Sequence, residues 1–150
     1  TEWVFGLSNV FLIRDPVEVV ASYLKSRAEV TPEDIGLPQQ GELFDLLCDA
    51  TGKAPPVIDA GDFLRAPEAH LQALCQWLGV DFSSRMLSWP AGPRASDGIW
   101  APHWYDAVWK STGFEPWRAR ESGLKGEFAA VAEACRPVYE RLRGHRMPVP

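Results

Sequence analysis

The amino-acid sequence predicts an α/β protein in which a parallel sheet is flanked by helices. Two short apolar runs, at 10–13 and 57–60, are each followed by residues with helical periodicity. Strand, helix, strand and helix in succession are typical of a right-handed parallel unit whose helices cover the sheet. A chain of 150 residues has the length of one domain with one core. We therefore expect a single domain over residues 1–150.

The first strand and helix are predicted from residue 10 onward. Val10 to Ile13 is uninterrupted apolar sequence, which favours a buried parallel strand over an edge strand. Asp15 is placed to cap the next helix, and Pro16 suits its first turn because it has no amide hydrogen to leave unpaired. The core face of this helix repeats at helical spacing and consists of Val17, Val20, Ala21, Leu24 and Ala28.

Proline and glycine residues interrupt regular secondary structure in the middle of the chain. Residues 31–41 hold two of each, which predicts an exposed loop, and a short helix is expected at 42–50. Pro55-Pro56 breaks the chain before the second strand at 57–60.

The second half of the chain is predicted to hold two longer helices around an irregular segment. One helix begins at Pro67 and ends before Gly79, with Leu71, Leu74, Cys75 and Leu78 on one face. Residues 89–117 are irregular and rich in aromatic residues. The last helix, at 125–143, should be kinked by Pro137; its core face consists of Phe128, Val131, Ala132, Cys135, Tyr139 and Leu142.

Composition excludes several classes of protein. A net charge of −5 argues against non-specific nucleic-acid binding. No apolar run approaches the length of a membrane helix, and the start of the chain lacks the basic region of a signal peptide. Three scattered cysteines without a CxxC motif are expected to be buried thiols of a reducing, cytoplasmic compartment. The His, Cys and Asp residues are nowhere spaced as metal ligands, so no metal site is expected.

Arg14 and Ser22 form the candidate binding site. Ligands of α/β proteins bind beyond the carboxyl ends of the strands, where Arg14 is expected, and a guanidinium can bind two phosphate oxygens at once. Ser22 follows about two helical turns later, within reach of an anion beside the helix. An ion pair of Arg14 with Asp15 or Glu18, and a Ser22 without function, explain the same pattern. Both interpretations stay open on spacing alone.

Three stretches in the right order resemble the sulfotransferases that use 3′-phosphoadenosine 5′-phosphosulfate (PAPS). "FLIRDPVEVVASYLKSR" is similar to their 3′-phosphate-binding segment, R-x-P-x5-S, and the resemblance implies that Arg14 and Ser22 bind the 3′-phosphate. "DFLRAPEAHLQALCQWLGVDF" is similar to the family's segment that follows the next strand, and "GPRASDGIWAPHWYDAVWKSTGF" resembles the C-terminal region of a bacterial branch. The second of these implies Arg94 as a third ligand of the 3′-phosphate; a solvated loop residue is the alternative.

The sequence also departs from the family pattern. The resemblance implies a P-loop-NTPase-like fold, but the first strand of that fold, its 5′-phosphosulfate loop and the catalytic histidine would all precede Thr1. We therefore expect a partial sulfotransferase domain, truncated at its N-terminus, with no catalytic residue assigned within it. His103 lacks an orienting carboxylate, and hydrogen bonding within a packed loop is the favoured interpretation. Packing is favoured over an acceptor or adenine site for Trp100, Trp104, Tyr105 and Trp109.

The expected function is that of a sulfotransferase-family protein which binds the 3′-phosphate of PAPS or of its product PAP. The complete enzyme would transfer a sulfuryl group to a hydroxyl or amine of a small-molecule acceptor, without metal, nucleic acid or membrane. Two alternatives stay open: a non-catalytic nucleotide-binding or interaction domain, and a relative of the P-loop kinases. A sheet edge left open by the truncation predicts self-association.

Overall fold

The structure is a computed structural model that describes residues 2–119 and 123–149. The side chain of Trp104 lies outside what it describes. The elements, in chain order, are β1 (Phe11–Ile13), α1 (Pro16–Tyr23), α2 (Leu37–Thr51), β2 (Val57–Asp59), α3 (Ala60–Arg65), α4 (Pro67–Leu78), α5 (Ala101–Trp104), α6 (Asp106–Lys110) and α7 (Gly126–Arg143). Short 3-10 turns cover Glu2–Gly6 and Ser84–Leu87.

β1 and β2 form a two-stranded parallel sheet, which confirms the predicted α/β class. Phe11 is paired with Val57, and Ile13 with Asp59. The amide of Met147 donates to the Val57 carbonyl at 2.8 Å, so the C-terminal segment covers the other side of β2. All three β2 residues are buried.

β1 differs from its prediction because it is an edge strand within the described residues. Phe11 and Ile13 are buried, but Leu12 between them is 61% exposed. An apolar run alone cannot distinguish a strand covered on both faces from one covered on a single face. The prediction that β1 is buried rather than an edge was therefore wrong.

α1 begins as predicted but ends earlier. The Asp15 carboxylate accepts the Val17 amide at 2.9 Å, and Pro16 occupies the first turn. The amides of Ser26 and Arg27 both donate to the Tyr23 carbonyl, and the Ser26 hydroxyl donates to it at 3.2 Å. These bonds close the end of the helix in a turn, so Ala28 is not part of its core face.

α2 begins inside the predicted loop, which corrects the expectation for residues 37–41. Pro38 lies in the first turn, where proline is tolerated, and Gly36 before it has a φ of 73°. Gly41 lies within the helix because α7 packs closely there. A Cβ at position 41 would lie 2.8 Å from Val138 Cγ1 and 2.9 Å from Arg141 Nη2.

The second strand is followed at once by a helix that the sequence did not reveal. Ala60, predicted as strand, is the first residue of α3, since the Asp59 carboxylate accepts the amides of Gly61 and Asp62. α4 is confirmed from Pro67 to Leu78, and Gly79 ends it with a φ of 70°.

α7 is confirmed as the long last helix and packs against α1, α2 and both strands. It continues through Pro137 to Arg143. Its buried residues are Ala132, Cys135, Tyr139 and Leu142, all predicted. Together with the strands and α2 it forms the main core, which includes Phe11, Ile13, Leu37, Phe44, Leu47 and Val57.

The cysteines are free thiols, as expected. Cys75 and Cys135 are buried and Cys48 is half-buried. Burial raises the pKa of Cys135 and of Cys48 above the usual value for a thiol. In the part of the chain that the structure describes, no helix is both long and apolar enough to cross a membrane.

Candidate functional site

A cavity of about 210 Å³ lies where β1 and β2 end, and we call it the strand-end cavity. Arg14 and Asp15 reach it directly after β1, and Asp59 is the last residue of β2. α1, α3 and α7 supply the remaining walls together with one tryptophan from the irregular segment. The full lining is Arg14, Asp15, Glu18, Asp59, Gly61, Arg65, Trp117, Tyr139, Glu140 and Arg143.

Asp59 is the buried polar centre of this cavity. It is 5% exposed, and besides capping α3 it accepts the Tyr139 hydroxyl at 2.7 Å. Burial, followed by the hydrogen bond to Asp59, raises the pKa of Tyr139 well above its usual value. Tyr139 is therefore neutral at physiological pH and serves as a donor that joins α7 to β2.

Arg14 lies at the exit of β1, as the sequence predicts, and lines the cavity. Its Nε and Nη2 atoms each lie 2.8 Å from Oε2 of Glu18, and the side chains of the two residues are 34% and 22% exposed. The structure therefore contains the Arg14–Glu18 ion pair that the sequence analysis gave as an alternative to an anion site. It occupies two of the five guanidinium donors, so others remain for a second acceptor.

Ser22 does not line the strand-end cavity. It lies in the last turn of α1, is exposed, and its hydroxyl makes no hydrogen bond to any residue that the structure describes. Lys25 and Arg27 follow the end of α1 and are exposed as well. The structure therefore brings Arg14, but not Ser22, into the cavity.

Arg94 is held in a separate turn of the irregular segment. Its amide donates to Asp97 Oδ2 at 2.9 Å, and its Nη2 donates to the Pro90 carbonyl at 3.2 Å. Asp97 also accepts the Trp109 indole N–H at 2.8 Å. The Arg94 amide and this indole together lower the pKa of Asp97. Arg94 is exposed and does not line the strand-end cavity.

His103 and the aromatic residues of this segment are only partly packed. His103 is exposed, so the interpretation of a hydrogen-bonded histidine inside a packed loop was wrong. Trp100 is 69% exposed and contradicts the packing expectation, whereas Tyr105 and Trp109 are half-buried and agree with it. The expectation for the Trp104 side chain lies outside the described residues.

Sequence reasoning missed most residues of the cavity, among them Arg65, Trp117 and Arg143. The Arg65 guanidinium lies 3.7 Å from the centre of the Trp117 ring. Gly61 allows this approach, because a Cβ there would lie 3.3 Å from the indole nitrogen. Arg143 follows Tyr139 by four residues and so shares its helix face, which was the one available sequence signal.

The chain as a whole matches a known protein family. The sulfotransferase domain family covers residues 1–143, nearly the entire sequence. The chain belongs to that family. The resemblance of its three motifs is confirmed.

Two curated relatives of this sulfotransferase domain come from Arabidopsis thaliana. They are the branched-chain-amino-acid aminotransferase-like proteins 1 and 2, each 37% identical over 137 residues. The matched region is 91% of this chain but 24% of each relative, so the chain spans about a quarter of their length. No solved structure matches it.

The strand-end cavity of the sulfotransferase domain contains side chains of both charges. No group of three or more His, Cys, Asp or Glu side chains within residues 2–119 and 123–149 is placed to hold a metal. Three guanidinium groups and four carboxylates line the cavity at the ends of the parallel strands.

Proposed function

We propose that this sulfotransferase domain binds the 3′-phosphate of PAPS or PAP through Arg14. The observation that carries the proposal is the place of Arg14, which follows a parallel strand and lines a cavity at the carboxyl end of the sheet. Family membership supports the choice of ligand, since these enzymes use PAPS as the sulfuryl donor. The parallel pairing of β1 and β2 is also consistent with a P-loop-like fold.

The charges around the cavity are compatible with this ligand. Arg14, Arg65 and Arg143 face four carboxylates, those of Asp15, Glu18, Asp59 and Glu140. Two of these carboxylates are already committed: Asp59 to its buried hydrogen bonds, and Asp15 to the α1 cap and to Arg136 at 3.6 Å. A phosphate therefore competes chiefly with Glu18 for the guanidinium of Arg14.

Ser22 and Arg94 complete the proposed set of 3′-phosphate ligands that the family resemblance implies. Both are exposed, so a nucleotide held at Arg14 would have to extend out of the cavity to meet them. We expect their replacement by alanine to weaken binding less than replacement of Arg14, because neither side chain is positioned in the cavity.

Calorimetric titration of adenosine 3′,5′-bisphosphate tests the proposal. Arg14→Ala should weaken binding by about 2–3 kcal/mol, the usual cost of a lost hydrogen-bonded charge contact. Adenosine 5′-monophosphate should bind weakly to both proteins. Arg85→Ala is the matched control, because Arg85 is exposed and lies outside the cavity. Equal affinities of the wild type and Arg14→Ala would refute the proposal.

In a complete enzyme, we propose, the acceptor is a small molecule with a hydroxyl or amine. Its nucleophilic atom would bond to the sulfur of PAPS as the sulfur–oxygen bond to PAP breaks, and a base would take the acceptor proton. The 3′-phosphate does not react, so Arg14 would supply binding that the ground and transition states share.

A non-catalytic nucleotide-binding domain is the second candidate, and one observation favours it. Neither His70, His103 nor His145 lines the strand-end cavity, so no histidine of this chain is placed as a base there. A radiolabelled-PAPS assay with phenols, alcohols and amines separates the two candidates. Turnover that is lost in His103→Ala would overturn the second candidate; binding of PAP without turnover would support it.

We also propose that these 150 residues self-associate through the open side of β1. Within the described residues β1 pairs with no strand other than β2, although the Gln40 side chain donates to the Leu12 carbonyl at 3.4 Å. Leu12 is also 61% exposed, and unpaired strand edges tend to pair with another chain. Sedimentation should show an average mass that rises with concentration, and Leu12→Lys should reduce this rise. A concentration-independent monomer would contradict the proposal.

A further inference from the structure

Arg143 has hydrogen-bond donors that the described residues do not satisfy. Its Nε atom is buried without a hydrogen-bond partner. Its nearest carboxylate atoms are Asp59 Oδ2, 3.8 Å from Nε, and Glu140 Oε2, 3.9 Å from Nη1. Both distances exceed that of a hydrogen bond, so these contacts are ion pairs without one.

Asp59 is already engaged by other donors. Oδ2 of Asp59 accepts the Tyr139 hydroxyl, and Oδ1 accepts two amides of α3. A buried guanidinium nitrogen without an acceptor is costly, and such groups in native structures call for a partner. The Arg143 side chain as a whole is 37% exposed and lines the strand-end cavity, so its outer guanidinium nitrogens can be reached from there.

We propose that Arg143 is a second guanidinium that binds the phosphate held by Arg14. The inference rests on the proposed function, and it adds a ligand that the family motif does not contain. Arg14 enters the cavity from the end of β1, whereas Arg143 enters it from the last turn of α7. A phosphate monoester offers three oxygens in tetrahedral directions, so it bonds to two forks approaching from different elements. A planar monocarboxylate offers two oxygens in one plane and fits two such forks less well.

Arg143 would thereby connect the bound phosphate to the packed core of the domain. Its helix is fixed by Tyr139, four residues earlier, whose hydroxyl is bonded to Asp59. The position of the second guanidinium is therefore set before the ligand arrives, which reduces the ordering cost of binding.

The test is calorimetric titration of adenosine 3′,5′-bisphosphate into three variants. Arg143→Ala should weaken binding about 10- to 100-fold, the range for a lost charge-assisted hydrogen-bond pair. Arg143→Lys keeps the charge beside Asp59 but loses the fork, and we expect a loss of about fivefold. Arg141→Ala is the control, because Arg141 lies on the same helix, pairs with Asp45 on the surface, and does not line the cavity.

The outcomes separate a ligand contact from a structural role and from failure of the proposed function. If Arg143→Ala lowers stability but binds with wild-type affinity while Arg14→Ala does not, Arg143 is structural and the inference is wrong. If Arg143→Ala does not fold, Arg143→Lys decides, and wild-type affinity in that variant overturns the inference. If the wild type itself does not bind the bisphosphate, the proposed function fails and the inference with it.

Discussion

Asp59 and Asp97 each stabilise a different region of the molecule. Their hydrogen bonds are similar in kind, but they span very different distances along the sequence. Each carboxylate accepts a backbone amide close by in sequence and one aromatic donor, the Tyr139 hydroxyl for Asp59 and the Trp109 indole for Asp97. The Asp59 bond spans 80 residues and is buried, whereas the Asp97 bond spans 12 residues at the edge of an exposed segment. The first bond joins two elements of the core; the second closes a local turn.

This difference decides which arginine is positioned for a ligand. Arg14 and Arg143 emerge from a strand end and a helix that pack in the core, so their backbones are fixed from several sides. Arg94 itself is held in its turn by two hydrogen bonds that span three and four residues. Binding to a pre-positioned side chain avoids an ordering cost, which favours the strand-end cavity as the site.

The largest expected effect is that of Asp59→Ala. It removes the α3 cap and leaves the Tyr139 hydroxyl and Arg143 without their carboxylate, at a cost of about 3–4 kcal/mol of unfolding free energy. Urea unfolding measures it. Asp97→Ala should cost clearly less, because water can solvate the groups it exposes. Equal losses of unfolding free energy in the two variants would show that burial does not make the Asp59 bonds more stabilising than the Asp97 bonds.

Tyr139→Phe should have an intermediate effect that depends on pH. Loss of the hydroxyl leaves Asp59 with one donor fewer and should cost about 1–2 kcal/mol at pH 7. The pKa of Tyr139 is raised in the folded protein, so above about pH 10 the unfolded tyrosine loses its proton first. Rising pH then favours the unfolded wild type, and its stability advantage over Tyr139→Phe should shrink.

Urea unfolding of the two proteins between pH 8 and pH 11 checks this expectation. The difference between them isolates Tyr139, because every other titrating group is common to both. A difference that stays constant over this range, or that grows with pH, would contradict the assigned bond.

The smallest expected effect is that of Glu18→Gln on ligand binding. Glu18 pairs with Arg14 in the strand-end cavity, so a dianionic phosphate has to displace the Glu18 carboxylate or bind against its repulsion. The variant should bind adenosine 3′,5′-bisphosphate about two- to fivefold more tightly, the range for a partly exposed ion pair. Calorimetry measures the change. Weaker binding would instead mean that Glu18 orients Arg14 for the ligand.

Glu133→Gln is the matched control for Glu18→Gln. Glu133 likewise pairs with an arginine close to it in sequence, Arg136, at 3.0 Å, but it does not line the cavity. Its replacement should leave the affinity unchanged. Together the two variants show whether Glu18 competes with the ligand for Arg14.

Much of the fold could be predicted from local sequence patterns. The pairs Asp15-Pro16 and Leu78-Gly79 mark one helix start and one helix end, and both are confirmed. The buried face of α7 follows from a repeat over eighteen residues, long enough for the helical period to be unambiguous. These features depend on interactions within a few residues.

The errors lie where a tertiary contact or an unrecognised cap overrides the local pattern. Gly41 looked like part of a loop, yet it lies within α2, where the absence of a Cβ leaves room for Val138 of α7. Ala60 looked like the end of a strand, yet the carboxylate of Asp59 begins a helix there. Leu12 looked buried because an apolar run does not show which of its faces will be covered.

The sequence by itself determined the parallel strands, the Asp15 cap of α1, the Gly79 end of α4, and the position of Arg14 at the end of β1. Periodicity and caps are local, so they can be recognised before the chain is folded. Only the tertiary structure decided that Arg143 and Trp117 share a cavity with Arg14, and that Tyr139 donates to Asp59. These contacts depend on how α7 packs across the sheet. The local pattern of one segment does not show which distant segment will lie against it.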